Sequence, residues 1–195
     1  MNKTYKFTNG IDKSEWFYSY SPNAKAHNEF IVDDGAIRNG YDESVGDYDY
    51  TSVLLKDKFS TGVTVVAECD FDNFGAPLIV LTDDITTNAD RTIGYGEHIE
   101  IVTFEKGCNV WHLVPNPTKT DEPTDYTLLH FENRPIKNKE RITLSVSVSS
   151  KELLVTVCDK TFSVKCDKIP NEFYIGFTAC EGINRFYSFS VQNED

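Results

Sequence analysis

Apolar and polar residues alternate one for one along several stretches of the chain. In GVTVVAECDFDNFG (62–75), Val63, Val65, Ala67, Cys69 and Phe71 fall on one side and Thr64, Val66, Glu68 and Asp70 on the other. RITLSVSVSSKELLVTVCDKTFSVKC repeats that period across three strands, with short polar turns at 149–152 and 159–160. A period of two marks strands with one buried face. LIVLTDD, opened by Pro77, is apolar on both faces and predicts a central strand. TYKF and EFIVDDGAIRNG predict two or three short strands, Val53 begins another, and TLLHFE adds one more. EFYIGFTACEGINRFYSFSV predicts a closing pair around a turn at 181–183. EWFYSYSPNAKAHN is aromatic and irregular, a segment expected to cross one end of the fold, and 85–93 is expected to be a polar loop. No window carries a helical period of useful length. The pattern predicts about a dozen strands in one all-β domain over residues 1–195, a two-sheet antiparallel β-sandwich.

The chemically densest stretch is GYGEHIEIVTFEKGCNVWHLV (94–114), two strands about a turn at Lys106 and Gly107. Alternation places His98, Glu100, Val102 and Phe104 on one face and Glu97, Ile99, Ile101 and Thr103 on the other. A turn of even length pairs Phe104 with Asn109, Val102 with Trp111 and Glu100 with Leu113. Trp111 then shares the face of His98 and Glu100, and His112 is left on the opposite face as a structural residue. An odd turn would exchange His112 for Trp111.

Composition narrows the partners. With 31 acidic and 19 basic residues the formal charge is −12, and no Lys/Arg cluster interrupts it. Such a field argues against nucleic acid and anionic lipid. No apolar run reaches the length of a membrane span, and the N-terminus has no signal-like apolar region. Cys69, Cys108, Cys158, Cys166 and Cys180 are odd in number and lack C-x-x-C spacing, so reduced thiols used as small core residues are expected, and with them a cytoplasmic location. No cofactor is called for. The acidic stretches Asp33–Asp34, Asp47/Asp49 and Asp83–Asp84 are candidate oxygen ligands for a structural calcium, without EF-hand spacing. No zinc spacing, phosphate-binding Gly loop or G-x-S-x-G elbow is present. Oligomeric state has no signature in the sequence.

From Gly62 onward the order of pieces resembles the concanavalin A-like lectin/glucanase jelly roll. The resemblance rests on the meander RITLSVSVSSKELLVTVCDKTFSV and on the ending FYIGFTACEGINRFYSFSV, a penultimate strand with a central Gly leading into an aromatic-rich last strand. FGAPLIVLTDD and EKGCNVW resemble signatures of a narrower bacterial group within that fold. The resemblance implies two bent sheets, the concave one carrying the ligand, and it is shared by lectins, hydrolases, lyases and binding modules. The laminarinase-type glycosidases carry E-x-D-x-E, three carboxylates on one face of one strand. Here Glu97 and Glu100 are separated by an odd interval and face opposite ways.

Two functions follow as expectations. The first is a carbohydrate-binding protein with His98, Glu100 and Trp111 as groove floor, Trp111 stacking on a sugar ring. Tyr48 and Tyr50, from the acidic Tyr-rich stretch 41–50, and Glu181, Asn184 and Arg185 would border the groove. His130, and Arg134 as a carboxylate-binding side chain, complete the candidates. The second is a glycan-active enzyme, a glycoside hydrolase or polysaccharide lyase, with Glu100 and His98 as acid and base.

Overall fold

The computed structural model describes residues 2–25, 28–41, 44, 50–89, 91–119 and 123–193. The chain opens with β1 (Asn2–Lys6), one turn of 3-10 helix (Phe7–Asn9), β2 (Trp16–Ser19), β3 (Ile31–Asp33) and β4 (Ala36–Arg38). Long strands follow: β5 (Tyr50–Ser60), β6 (Val63–Asp72) and β7 (Ala76–Thr82). A small hairpin, β8 (Ile85–Thr87) with β9 (Ile93–Tyr95), precedes β10 (His98–Phe104), β11 (Gly107–Pro115) and β12 (Thr124–Asn133). The chain closes with β13 (Ile142–Val148), β14 (Glu152–Val157), β15 (Lys160–Lys165), β16 (Glu172–Cys180) and β17 (Ile183–Asn193).

These strands form the expected antiparallel sandwich. One sheet has the order β15-β14-β13-β6-β17-β4-β3, with β1 also pairing β17; the other has the order β12-β11-β10-β7-β16-β5-β2. Between them lies the core. The alternating residues Val63, Val65, Ala67, Cys69 and Phe71 of β6 all point into it, as do Ile79 and Leu81 of β7 and Ile99 and Ile101 of β10. Phe177 of β16 gathers Phe7, Trp16, Phe30, Phe186 and Phe189 around its ring at centroid distances from 4.3 to 5.4 Å. Each such side chain contributes about 1.5–3 kcal/mol through burial. β7 sits in the middle of its sheet and is buried along its whole length, which is why its sequence shows no alternation.

Several local expectations are corrected. The segment around Trp16 is an edge strand, β2, paired with β5, and Trp16 is fully buried; four residues of aromatic sequence are too short to display a period. The stretch 85–93 is not all loop: it holds β8 and the first residue of β9, which pair as a hairpin. The closing strands β16 and β17 do not pair with each other, because each belongs to a different sheet. The chain also changes sheets between β6 and β7. The strand count exceeds a dozen because β2, β3, β4, β8 and β9 are only three or four residues long.

Two of the sheet-changing turns, 73–75 and 181–182, press on one another backbone to backbone. A Cβ on Gly182 would lie 2.0 Å from the Asn73 carbonyl oxygen, and one on Gly75 would lie 2.3 Å from that of Ile183. Larger residues cannot stand at these two positions without parting the turns. Asn73 (φ 50°), Phe74 (φ 66°) and Glu181 (φ 56°) all adopt the left-handed region here. None of the five cysteines forms a disulfide, and four of them are buried.

Candidate functional site

The outward face of the β12-β11-β10-β7-β16-β5-β2 sheet holds the site. Alternation that sends Ile99 and Ile101 into the core turns His98, Glu100, Val102 and Phe104 outward, and β7 turns Leu78 and Val80 the same way. β10 and β11 meet in a two-residue turn, Glu105–Lys106, with Phe104 opposite Gly107 and Glu100 opposite Trp111. The expected pairing of Glu100 with Leu113 is therefore off by two residues, since Leu113 lies opposite His98. Gly107 belongs to the strand because β12 crowds it: a Cβ there would lie 2.0 Å from the Glu132 oxygen. A shift of two preserves faces, so Trp111 does share the side of His98 and Glu100. His112 pairs with inward-facing Ile99, and its Nε2 lies 2.8 Å from Glu97 Oε1.

His98 is 2 % exposed and Glu100 6 %. His98 Nδ1 lies 2.6 Å from the Gly96 carbonyl, which can only accept, so Nδ1 carries a hydrogen. Nε2 lies 3.1 Å from Glu100 Oε1. That contact needs one proton between the two atoms, either on an imidazolium that donates to the carboxylate or on a carboxylic acid that donates to the ring. Tyr95 stands edge-on to the His98 ring at 4.9 Å. Its hydroxyl sits 3.3 Å from Ser52 and 3.4 Å from Thr178, and those two hydroxyls are 2.8 Å apart. Burial, followed by the Glu100 charge, pushes the Tyr95 hydroxyl well above its ordinary range. Burial does the same to Tyr50, assisted by Cys180 and Glu100. Both phenols stay neutral at physiological pH.

Above this floor opens a cavity of about 340 Å³. Glu100, Val102, Phe104, Trp111, Tyr50, Tyr126, Leu78 and Cys180 line it, with Phe74, Glu105, Asn109, Asn138 and Glu181 toward its border. Trp111 is half-buried and meets Tyr126 edge-to-face at 6.4 Å; Phe104 meets Phe131 at 6.2 Å. Tyr126 is positioned from outside the sheet. Its oxygen accepts from Asn23 Nδ2 at 2.7 Å, and Asn23 Oδ1 accepts from Thr124 at 2.9 Å.

Of the expected site residues, Glu100, Trp111, Tyr50 and Glu181 line the cavity, and His98 lies beneath it holding Glu100. Tyr48 lies outside the described residues. His130 is a correction: it pairs with inward-facing Val110 and stacks on Phe162 at 4.5 Å, away from the groove. Arg134 is another, held by Glu140 at 3.0 Å and Asp159 at 3.3 Å. Arg185 belongs to the opposite sheet, where it pairs with Asp33 at 3.2 Å and Asp70 at 3.1 Å. Asn184 is fully buried and serves the turn: Nδ2 donates to the Cys180 and Glu181 carbonyls, while its own backbone N–H donates to Asn39. Phe74, Phe104 and Asn109 were not anticipated. Phe104 and Asn109 were legible from the alternation of the hairpin; Phe74 sits in a turn, where alternation stops.

Among the described residues, Asp33–Asp34 and Asp83–Asp84 do not gather with other acidic side chains into a cation site. Asp33 is paired with Arg38 and Arg185, and Asp84 accepts from the Glu97 backbone N–H at 2.9 Å. Among the described residues no three His, Cys, Asp or Glu side chains gather to hold a metal ion. Asp47 and Asp49 lie outside the described residues.

No protein-family model matches the chain, and no curated protein matches it by sequence. Solved structures do. A protein with a galectin-like fold from Bacillus subtilis is 10% identical over 98% of this chain and 94% of that one, with a TM-score of 0.69. An endo-acting O-glycanase of the human gut microbiota is 12% identical over 99% of both chains, with a TM-score of 0.67. The fold is a concanavalin A-like jelly roll. The carbohydrate-binding module CBM66 from Bacillus subtilis is 10% identical over 87% of this chain and 96% of its own, with a TM-score of 0.58. Identities this low speak for the jelly roll alone.

Proposed function

We propose that this jelly roll binds a saccharide on the outward face of the sheet containing β10. The observation that carries this reading is the cavity itself: aromatic walls from Trp111, Tyr126, Tyr50 and Phe104 over a buried carboxylate, Glu100. Aromatic faces complement the apolar faces of pyranose rings, and a carboxylate held by His98 accepts hydrogen bonds from sugar hydroxyls. Structural neighbours that include a carbohydrate-binding module and an O-glycanase support the reading.

Glycan cleavage with Glu100 and His98 as acid and base is the weaker alternative. Glu97, just before β10, reaches His112 on the inward side while Glu100 faces outward, so this stretch does not supply the same-face carboxylates of E-x-D-x-E. Retaining hydrolysis wants two carboxyl groups about 5 Å apart.

Calorimetric titration against a broad set of oligosaccharides tests the proposal. Binding that Trp111→Ala removes while the protein stays folded is the expected result. No binding by any member of the set, with Trp111→Ala altering stability alone, would remove the reading. Release of reducing ends from a polysaccharide panel, lost in Glu100→Gln, would favour the enzyme.

A further inference from the structure

Two features of the groove, its charge and the spacing of its rings, restrict the class of saccharide. All 19 lysines and arginines fall within the described residues, and none lines the cavity. The arginines are engaged elsewhere: Arg38 and Arg185 with Asp33, Arg134 with Glu140, Arg141 with Glu68, while Arg91 lies at the β2 edge beside Tyr18 and Lys56. Three cations adjoin the lining in sequence: Lys106 and Lys139 occupy turns, Lys139 paired with Asp72 at 3.1 Å, and Lys137 precedes Asn138, its backbone N–H donating to Glu140. Among the described residues the lining holds three acidic side chains: Glu105, Glu181 and Glu100, the last sharing a proton with His98. A carboxylate or sulfate on the ligand would be desolvated beside Glu105 and Glu181 with no lysine or arginine in the lining to offset it.

Two sets of rings mark the ends of the groove, with Tyr50 of β5 standing opposite Cys180 on the neighbouring strand of the same sheet. Trp111 stands opposite Glu100, and Tyr126 packs against it. The backbone of Phe104 lies four residues beyond Glu100 along β10, about 13 Å at the rise of a strand. The β7–β10 register pairs Leu78 with Val102, so its continuation brings Ala76 beside Phe104 and leaves Phe74 just beyond that end. Phe74 is 76% exposed yet lines the cavity. Its backbone is left-handed (φ 66°), an uncommon state for a bulky residue, and the interlocked Gly75 and Gly182 turns hold it there. An exposed aromatic ring kept in a strained turn at a groove border gives the fold no packing in return, and such outliers concentrate at ligand clamps.

We propose that the groove takes a saccharide chain of at least two rings bearing no acidic groups, with Phe74 as the contact at the end away from Trp111. This rests on the saccharide reading above. A single pyranose is shorter than the interval between the two ring sets, so one sugar cannot engage both.

Calorimetry with neutral gluco- and galacto-oligosaccharides of increasing length, and with oligogalacturonate and sulfated galactan fragments, tests it. Affinity should rise from mono- to oligosaccharide, acidic chains should bind at least tenfold more weakly, and the neutral interaction should be insensitive to salt. Phe74→Ala should weaken the longer ligands about tenfold and leave a monosaccharide unaffected. Phe74→Asn separates binding from folding, because Asn accepts the left-handed conformation: its melting temperature should match or exceed the parent's while affinity falls. Acidic chains binding as tightly as neutral ones, or unchanged affinity in both Phe74 variants, would overturn the proposal and leave the saccharide reading intact. If no saccharide of either kind binds, both fall together.

Discussion

Trp16 and Trp111, the chain's two tryptophans, belong to the same sheet and face opposite ways. Trp16 points into the space between the sheets, is 1% exposed, and sits edge-on to Phe177 at 5.2 Å. Trp111 points outward, is half-buried, and shares a wall with Tyr126 above Glu100. The inward face satisfies its apolar surface with the other sheet. The outward face carries aromatic rings of its own, and among the described residues they surround an open cavity. A protein gains nothing in stability from leaving such rings uncovered, so the difference between the faces is a difference between folding and recognition.

The largest expected effect probes that contrast directly. Trp16→Ala removes a ring from the centre of an aromatic cluster and should cost about 3–5 kcal/mol in urea unfolding, enough to threaten the fold. Trp111→Ala should cost about 1 kcal/mol and abolish saccharide binding. Equal destabilisation by the two substitutions would mean that Trp111 is a core residue after all.

The next effect concerns the polar floor. Glu100→Ala leaves His98 buried without a partner for Nε2. An imidazolium–carboxylate pair predicts a loss of about 3–5 kcal/mol, and a neutral acid–imidazole pair about 1–3 kcal/mol. Glu100→Gln can donate from its amide to a neutral His98 Nε2 while Nδ1 keeps its bond to Gly96, so it should recover much of that loss. Urea titration of both variants reads the outcome; a Gln variant as unstable as the Ala variant would exclude the neutral form.

What was legible in the sequence follows the same division. The period of two in β6, β13, β14 and β15 fixed which residues meet in the core, because a half-buried strand has only one way to present its apolar side. The same rule put His98, Glu100 and Trp111 on one face even though the turn was misplaced, since an error of two residues leaves the faces unchanged. Features that depend on which sheet a strand joins were not legible. His130 and Arg185 read as site residues because their segments border the right strands in sequence, yet one faces the core and the other lies in the opposite sheet. Phe74 escaped for a related reason: its place at the groove comes from two sheet-changing turns that meet only in three dimensions.

The smallest effect separates two pairs that look alike on paper. His112 Nε2 lies 2.8 Å from Glu97, a shorter contact than the 3.1 Å between His98 and Glu100. Distance alone would rank the His112 pair as the stronger one. Burial reverses that order: the Glu97 side chain is 49% exposed and the Glu100 side chain 8%. Water can replace His112 as partner for Glu97, whereas nothing in the fold replaces His98 for Glu100. Glu97→Ala should therefore cost about 0–1 kcal/mol and leave ligand affinity unchanged, because the side chain lies on the face away from the groove. A double-mutant cycle on each pair, read by urea unfolding, should give a coupling of about 0.2–1 kcal/mol for Glu97–His112 and a larger one for Glu100–His98. Equal couplings would mean that the hairpin treats its two faces alike, and the outward-facing pair would lose its distinction as the floor of a site.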